Sequence, residues 1–181
     1  MAQYYCECDH RMWNGMAPND IEWWVYLNGA WKDIINTGSM HSTDIPSADY
    51  DVWRCPECER AYAFPYNDND TRDCNKVVKY YVLYSHAELK NFQYDFVSED
   101  KSMVCECGNK LSEDQEDVRL VVYSDREWED KVNLGDIDSA KIPPPSLDLW
   151  CCSKCERAYV FEGDELIKYY VLHGLDELTS G

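Results

Sequence analysis

The sequence predicts a small β-rich fold made of two tandem copies of one unit, packed together. Three observations carry this: an internal repeat, aromatic and β-branched runs of strand length in each copy, and cysteine pairs at matching places in both. The chain has 181 residues, enough for one ordinary domain or two small ones. Hydrophobic residues make up 45% and aromatics 14%, too many for a disordered acidic tail.

The repeat sets the domain boundaries. Residues 21–64 align without a gap on 118–161, an offset of 97, with 18 identities in 44 positions. Trp53-Arg54-Cys55-Pro56-Glu57-Cys58-Glu59-Arg60-Ala61-Tyr62 recurs as Trp150-Cys151-Cys152-Ser153-Lys154-Cys155-Glu156-Arg157-Ala158-Tyr159. Upstream, Cys6-Glu7-Cys8 matches Cys105-Glu106-Cys107 after a two-residue shift. Downstream, Lys79-Tyr80-Tyr81-Val82-Leu83 matches Lys168-Tyr169-Tyr170-Val171-Leu172. The units are therefore 1–97 and 98–181. No Pro- or Gly-rich linker separates them, which predicts copies that pack rather than swing.

Within each copy the elements follow in order. Residues 21–27 and 118–123 are aromatic and β-branched runs of strand length. Asn28-Gly29 carries a turn signal after the first. Residues 125–132 allow one short helix, and no long helix is predicted. Residues 60–64 and 157–161 are strands that each follow a cysteine pair, with 76–84 and 167–172 as their antiparallel partners. Residues 67–73 form a polar loop present only in the first copy. Lys141-Ile142-Pro143-Pro144-Pro145 is extended, because three prolines exclude both helix interior and central strand.

The cysteines carry the strongest chemical signal. Each copy has a Cys-x-Cys pair and, more than 40 residues later, a Cys-x-x-Cys pair. Two close thiolate pairs from distant segments are how a chain builds a closed tetrahedral zinc site. The predicted ligands are Cys6, Cys8, Cys55 and Cys58 for one Zn²⁺, and Cys105, Cys107, Cys152 and Cys155 for a second. The repeat sets Cys151 opposite Arg54, so Cys151 is spare, as is Cys74 in the first-copy insertion. Disulfides would need an oxidising compartment, and a redox Cys-x-x-Cys would need a βαβ context. Iron suits the same four sulfurs and stays open beside zinc.

A Cys-x-x-Cys knuckle running straight into a β-hairpin, Cys55 to Leu83 and Cys152 to Leu172, resembles a zinc ribbon. The resemblance covers about a third of the chain and departs from the pattern in the first knuckle, which is Cys-x-Cys. It implies a structural metal and a hairpin, and zinc ribbons serve transcription, translation and protein docking alike. The long spacing between knuckles implies additional strands inserted there. Small β units commonly need such a staple.

No Gly-x-Ser-x-Gly, P-loop, Gly-x-Gly-x-x-Gly or His-Glu-x-x-His occurs, and a four-cysteine site leaves zinc no open position. The sequence is therefore read as non-enzymatic. Against 35 acids stand 17 bases, a formal net charge of −18. Such a chain repels phosphate and anionic membrane surfaces, which excludes direct nucleic-acid and membrane binding and favours a basic protein partner. The start lacks the basic and apolar segments of a secretory signal, which predicts a cytoplasmic protein.

The copies diverge in where they place aromatics and charge. The first holds Trp13, Trp23, Trp24, Trp31 and Trp53; the second holds acids around 113–117. Trp24 and Tyr26, together with Glu113, Asp114, Glu116 and Asp117, are the expected partner-binding residues. Trp24 and Tyr26 fit a second buried layer equally well. The function expected is inhibition of a basic toxin or nucleic-acid-binding enzyme, in the manner of an immunity protein, an antitoxin or a nucleic-acid mimic. The alternatives are a zinc-ribbon docking module for transcription or translation, and an enzyme with an unrecognised carboxylate or thiol site.

Overall fold

Four strands from each copy close one eight-stranded antiparallel barrel, so the repeats share the core inside it. The computed structural model describes residues 2–48, 50–65, 77, 79–85, 93–95, 101–112, 115, 118–163 and 165–174. The first copy supplies β1 (Gln3–Tyr5), β2 (Arg11–Trp13), β3 (Glu22–Leu27), α1 (Asn28–Ile35), β4 (Ser39–His41), β5 (Tyr50–Arg54), β6 (Ala61–Pro65) and β7 (Lys79–Ser85). After β8 (Gln93–Asp95), the second supplies β9 (Ser102–Val104), β10 (Lys110–Ser112), β11 (Arg119–Ser124), α2 (Asp125–Lys131), β12 (Asp136–Asp138), β13 (Leu147–Cys151), β14 (Ala158–Glu162) and β15 (Glu165–His173). Around the barrel the order is β3, β5, β6, β7, β15, β14, β13 and β11, which pairs back with β3.

The seams join equivalent strands. In the β3·β11 pair Val25 faces its own repeat twin Val122, and in β7·β15 Val82 faces its twin Val171. Outside the barrel Met40 of β4 faces its twin Ile137 of β12. Three self-pairings of this kind define an approximate twofold axis through opposite barrel walls, as in a symmetric dimer joined in one chain. Crossed hydrogen bonds follow the same axis. Gly38 N donates to Ser139 Oγ at 3.0 Å, and Gly135 N donates to Ser42 Oγ at 3.2 Å. Both glycines have left-handed backbones, φ 89° and 80°, which explains why this position is Gly in both copies.

Period-two alternation divides each strand between two cores. Trp23, Val25, Val52, Ala61, Val122, Leu149, Ala158, Val160 and Tyr170 cluster inside the barrel. Tyr26, Val121 and Tyr123 face outward beneath Trp31 of α1 and Trp128 of α2. Asn28-Gly29 does not end β3 in a reversal as expected: it begins α1, whose buried residues include Asn28, Trp31 and Ile34. The burial of Trp31 and Ile34 against the barrel outweighs the local turn preference of Asn-Gly. The short helix expected near residue 125 is α2, opened by a capping box between Ser124 and Glu127. The hairpins after the cysteine pairs are β6·β7 and β14·β15. The expected loop 67–73 lies outside the described residues.

Candidate metal centres

Each four-cysteine cluster is assembled by two tight turns. In the first copy the β1–β2 connection carries Cys6 and Cys8, with Cys6 N bonded to His10 O at 2.9 Å. The turn after β5 carries Cys55 and Cys58, with Cys55 N bonded to Arg60 O at 2.8 Å. The second copy repeats both closures, Cys105 N to Asn109 O and Cys152 N to Arg157 O, each at 2.8 Å. Glu59 and Glu156 close the longer turns with left-handed backbones, φ 58° and 54°. Such turns aim backbone N–H groups at the sulfurs and leave a pair of thiols on one side.

The eight predicted ligands come together as two groups, Cys6, Cys8, Cys55 and Cys58, and Cys105, Cys107, Cys152 and Cys155, the sulfurs of each within 4.8 Å of one another. Cys6 and Cys58 sulfurs are 3.4 Å apart and those of Cys8 and Cys55 3.6 Å; the twin distances are 3.4 and 3.7 Å. A disulfide would need about 2.05 Å. A tetrahedral ion with Zn–S bonds of about 2.3 Å sets S···S edges of about 3.8 Å, close to what is found. Both groups are thus positioned to hold a metal ion.

The surroundings decide which thiols ionise unaided and which need a cation. Burial pushes the thiols of Cys6, Cys55, Cys105 and Cys155 up, so ionising them together requires a cation among them. Burial also opposes ionisation of Cys152, yet N–H groups of Cys155 and Lys154 outweigh it and lower that thiol to about 7. Arg60 Nη1 stands 4.0 Å from Cys58 Sγ, a fixed positive group beside the cluster.

Two residues not singled out in the sequence hold the clusters in place. The Tyr62 hydroxyl lies 3.1 Å from Cys6 Sγ and accepts the Glu7 N–H at 3.1 Å. The Tyr159 hydroxyl repeats this with Cys105 Sγ and Glu106 N, both at 3.1 Å. The signal was present, since both tyrosines recur in Cys-Glu-Arg-Ala-Tyr.

The expected partner-binding aromatics have a different setting. Tyr26 is buried, and its hydroxyl donates to Pro46 O at 3.0 Å. Trp24, half-buried, stacks on Trp128 with ring centroids 4.4 Å apart and donates from Nε1 to Asp125 at 3.2 Å. Both therefore belong to the second buried layer, packing the first copy against the second. Glu113, Asp114, Glu116 and Asp117 lie outside the described residues, as does Cys74. No helix among the described residues is long and apolar enough to cross a membrane.

The family model for a domain of unknown function, DUF8617, matches this chain twice, over residues 2–93 and 101–174. No curated protein and no solved structure matches it.

Proposed function

The chain belongs to the DUF8617 family, and from that premise we propose that it is a non-enzymatic, zinc-stabilised acidic protein that binds and inhibits a basic protein partner. The closure of both clusters carries the non-catalytic part: four sulfurs converge in each, so a tetrahedral Zn²⁺ keeps no position for substrate or water. The metals then act as staples of a zinc-ribbon-like knuckle and hairpin. Charge supports the rest. To the formal −18, each four-thiolate zinc centre adds about −2, a field that steers cations toward the protein.

An aromatic anchor for the partner is available outside the buried layer. Tyr5 is 59% and Trp13 38% exposed on the β1·β2 face, with Met16 nearby in sequence at 68%. The Trp13 indole packs on Gly15, where an added Cβ would lie 1.9 Å from the ring, so the anchor is held before binding. The repeat twins of Tyr5 and Trp13 are Val104 and Ser112, so this feature belongs to the first copy alone. A rigid exposed aromatic set in an acidic protein suits a basic groove such as that of a toxin or nucleic-acid-processing enzyme.

The test is purification of the tagged chain from its native host, followed by kinetics on the isolated complex. The expected result is one stoichiometric partner with a pI above about 9. Its association slows with salt, and its dissociation speeds at least tenfold in Tyr5→Ala and Trp13→Ala without a change in melting temperature. An acidic partner, or association indifferent to salt together with unchanged dissociation in both variants, refutes the reading. Capture of a polymerase or ribosome supports a docking module instead. Sub-micromolar, salt-sensitive binding to generic duplex DNA would refute the exclusion of nucleic acid.

A further inference from the structure

We infer that the barrel interior is a binding site for a neutral apolar small molecule, entered at one end only. A cavity of about 310 Å³ lies among inward-facing side chains, its walls formed by Val25, Val52, Ala63, Leu120, Leu149 and Tyr170. Eight-stranded barrels have an interior just large enough either to be filled by side chains or to hold one small ligand. Here the copies differ in a way that decides between those outcomes.

The approximate twofold axis relates the two barrel ends, so each residue near one mouth has a twin near the other. One end is plugged. Arg54 lies over the Trp23 ring, 5.4 Å from its centroid, and is ion-paired to Glu59, which also takes Lys168 at 2.7 Å. At the opposite end the equivalent ion pair survives, Lys79 to Glu156 at 2.5 Å, but the plug does not. Cys151 stands where its twin is Arg54, Leu120 where its twin is Trp23, and Ala63 where its twin is Val160. All three cavity-lining residues are smaller than their twins. These three reductions outnumber the one enlargement at that end, Leu27 where its twin is Ser124, and the cavity opens there. The rim there is made by Cys152, Ser153 and Glu156 of the second-copy knuckle.

The walls define the ligand. They are mainly apolar, with Val25, Val52, Ala63, Leu120 and Leu149 facing the space. The acid-rich chain disfavours an anion, and the Lys79·Glu156 pair leaves the mouth close to neutral. Tyr170 is 2% exposed, and its neighbour Arg54 can only donate, so the hydroxyl proton has no acceptor among the described residues. A ligand with one acceptor would satisfy that donor. An apolar cavity of about 150 Å³ accepts benzene, so this one suits a bicyclic aromatic or a medium-length hydrocarbon chain with at most one polar group.

The experiment titrates the full metal-loaded chain with the neutral fluorophore N-phenyl-1-naphthylamine, with 1-decanol as competitor. Cys151→Arg and Leu120→Trp restore the twin residues at the open end, and Glu156 offers the new arginine the partner that Glu59 gives Arg54. Expected are saturable binding of one probe per chain, displacement by decanol, and at least tenfold weaker binding in both variants at unchanged melting temperature. Intermolecular NOEs from the probe to methyl groups of Val52, Leu120 and Leu149 locate it in the wild-type chain without relying on any variant. Absence of saturable wild-type binding, absence of those NOEs, or wild-type affinity in both folded variants overturns the inference.

Discussion

Replacing one cysteine ligand should weaken both copies together, although each cluster belongs to one copy. The perturbation is Cys155→Ser, compared with Cys58→Ser. Each removes one of four sulfurs from one cluster and leaves the other intact. Structural zinc contributes on the order of 10 kcal/mol to folding, so one ligand's share is at least about 2.5 kcal/mol. For a chain of this size that lowers Tm by at least about 5 °C. The structure decides whether the loss stays local. The seams hold five residue pairs in β3·β11 and six in β7·β15. At about 0.2–1 kcal/mol per cross-strand pair, opening one copy forfeits about 2–11 kcal/mol that the other copy also needs. This is comparable to the 5–15 kcal/mol stability of a whole domain, so the remaining half-barrel cannot stand alone. Native mass spectrometry should find two ions in the wild type and one in each variant. Calorimetry should give one transition in every case, shifted down in both variants, while Cys151→Ser keeps both ions. Two resolved transitions, with only one moved by each variant, would refute the shared-core argument. Unchanged metal stoichiometry would refute the ligand assignment.

Two further outcomes rest on individual contacts. Burial opposes ionisation of Glu127, yet Lys131, Ser146 and the Ser124 N–H bond its carboxylate and hold it down to about 2. A depressed carboxyl stabilises above its unfolded value near 4.3 and loses that contribution as pH falls toward 2. Glu127→Gln should therefore lower Tm at neutral pH, by up to about 3 kcal/mol of stability, and the gap to wild type should close with acid; a gap independent of pH would refute this. Trp24→Ala removes the ring stacked on Trp128 and a bond to Asp125, and should cost about 3 kcal/mol in chemical denaturation. Partner dissociation measured on folded Trp24→Ala should be unchanged, and faster dissociation with unaltered stability would place Trp24 at the interface.

Local and repeated features are legible from the order of residues alone. Cysteine spacing specifies both clusters, because a two- or three-residue separation confines a pair to one turn, whatever the rest of the chain does. Alternation specifies strands such as residues 21–27, and duplication makes every inference for one copy a check on the other. Asn28-Gly29 shows the limit of local signals, since a turn preference worth little yields to the burial of Trp31 and Ile34 beneath a helix. Tertiary structure alone decided that Val25 meets Val122 and Val82 meets Val171, which closes one barrel instead of two separate sheets. Pairing between strands almost a hundred residues apart depends on which strand edges each half leaves unpaired, and no neighbouring residue encodes that. The same closure moved Trp24 and Tyr26 into a buried layer and set Cys151 at the mouth of a cavity. A side chain's identity is written locally, but whether it faces water, a helix or a barrel interior is fixed by what the distant half of the chain brings to it.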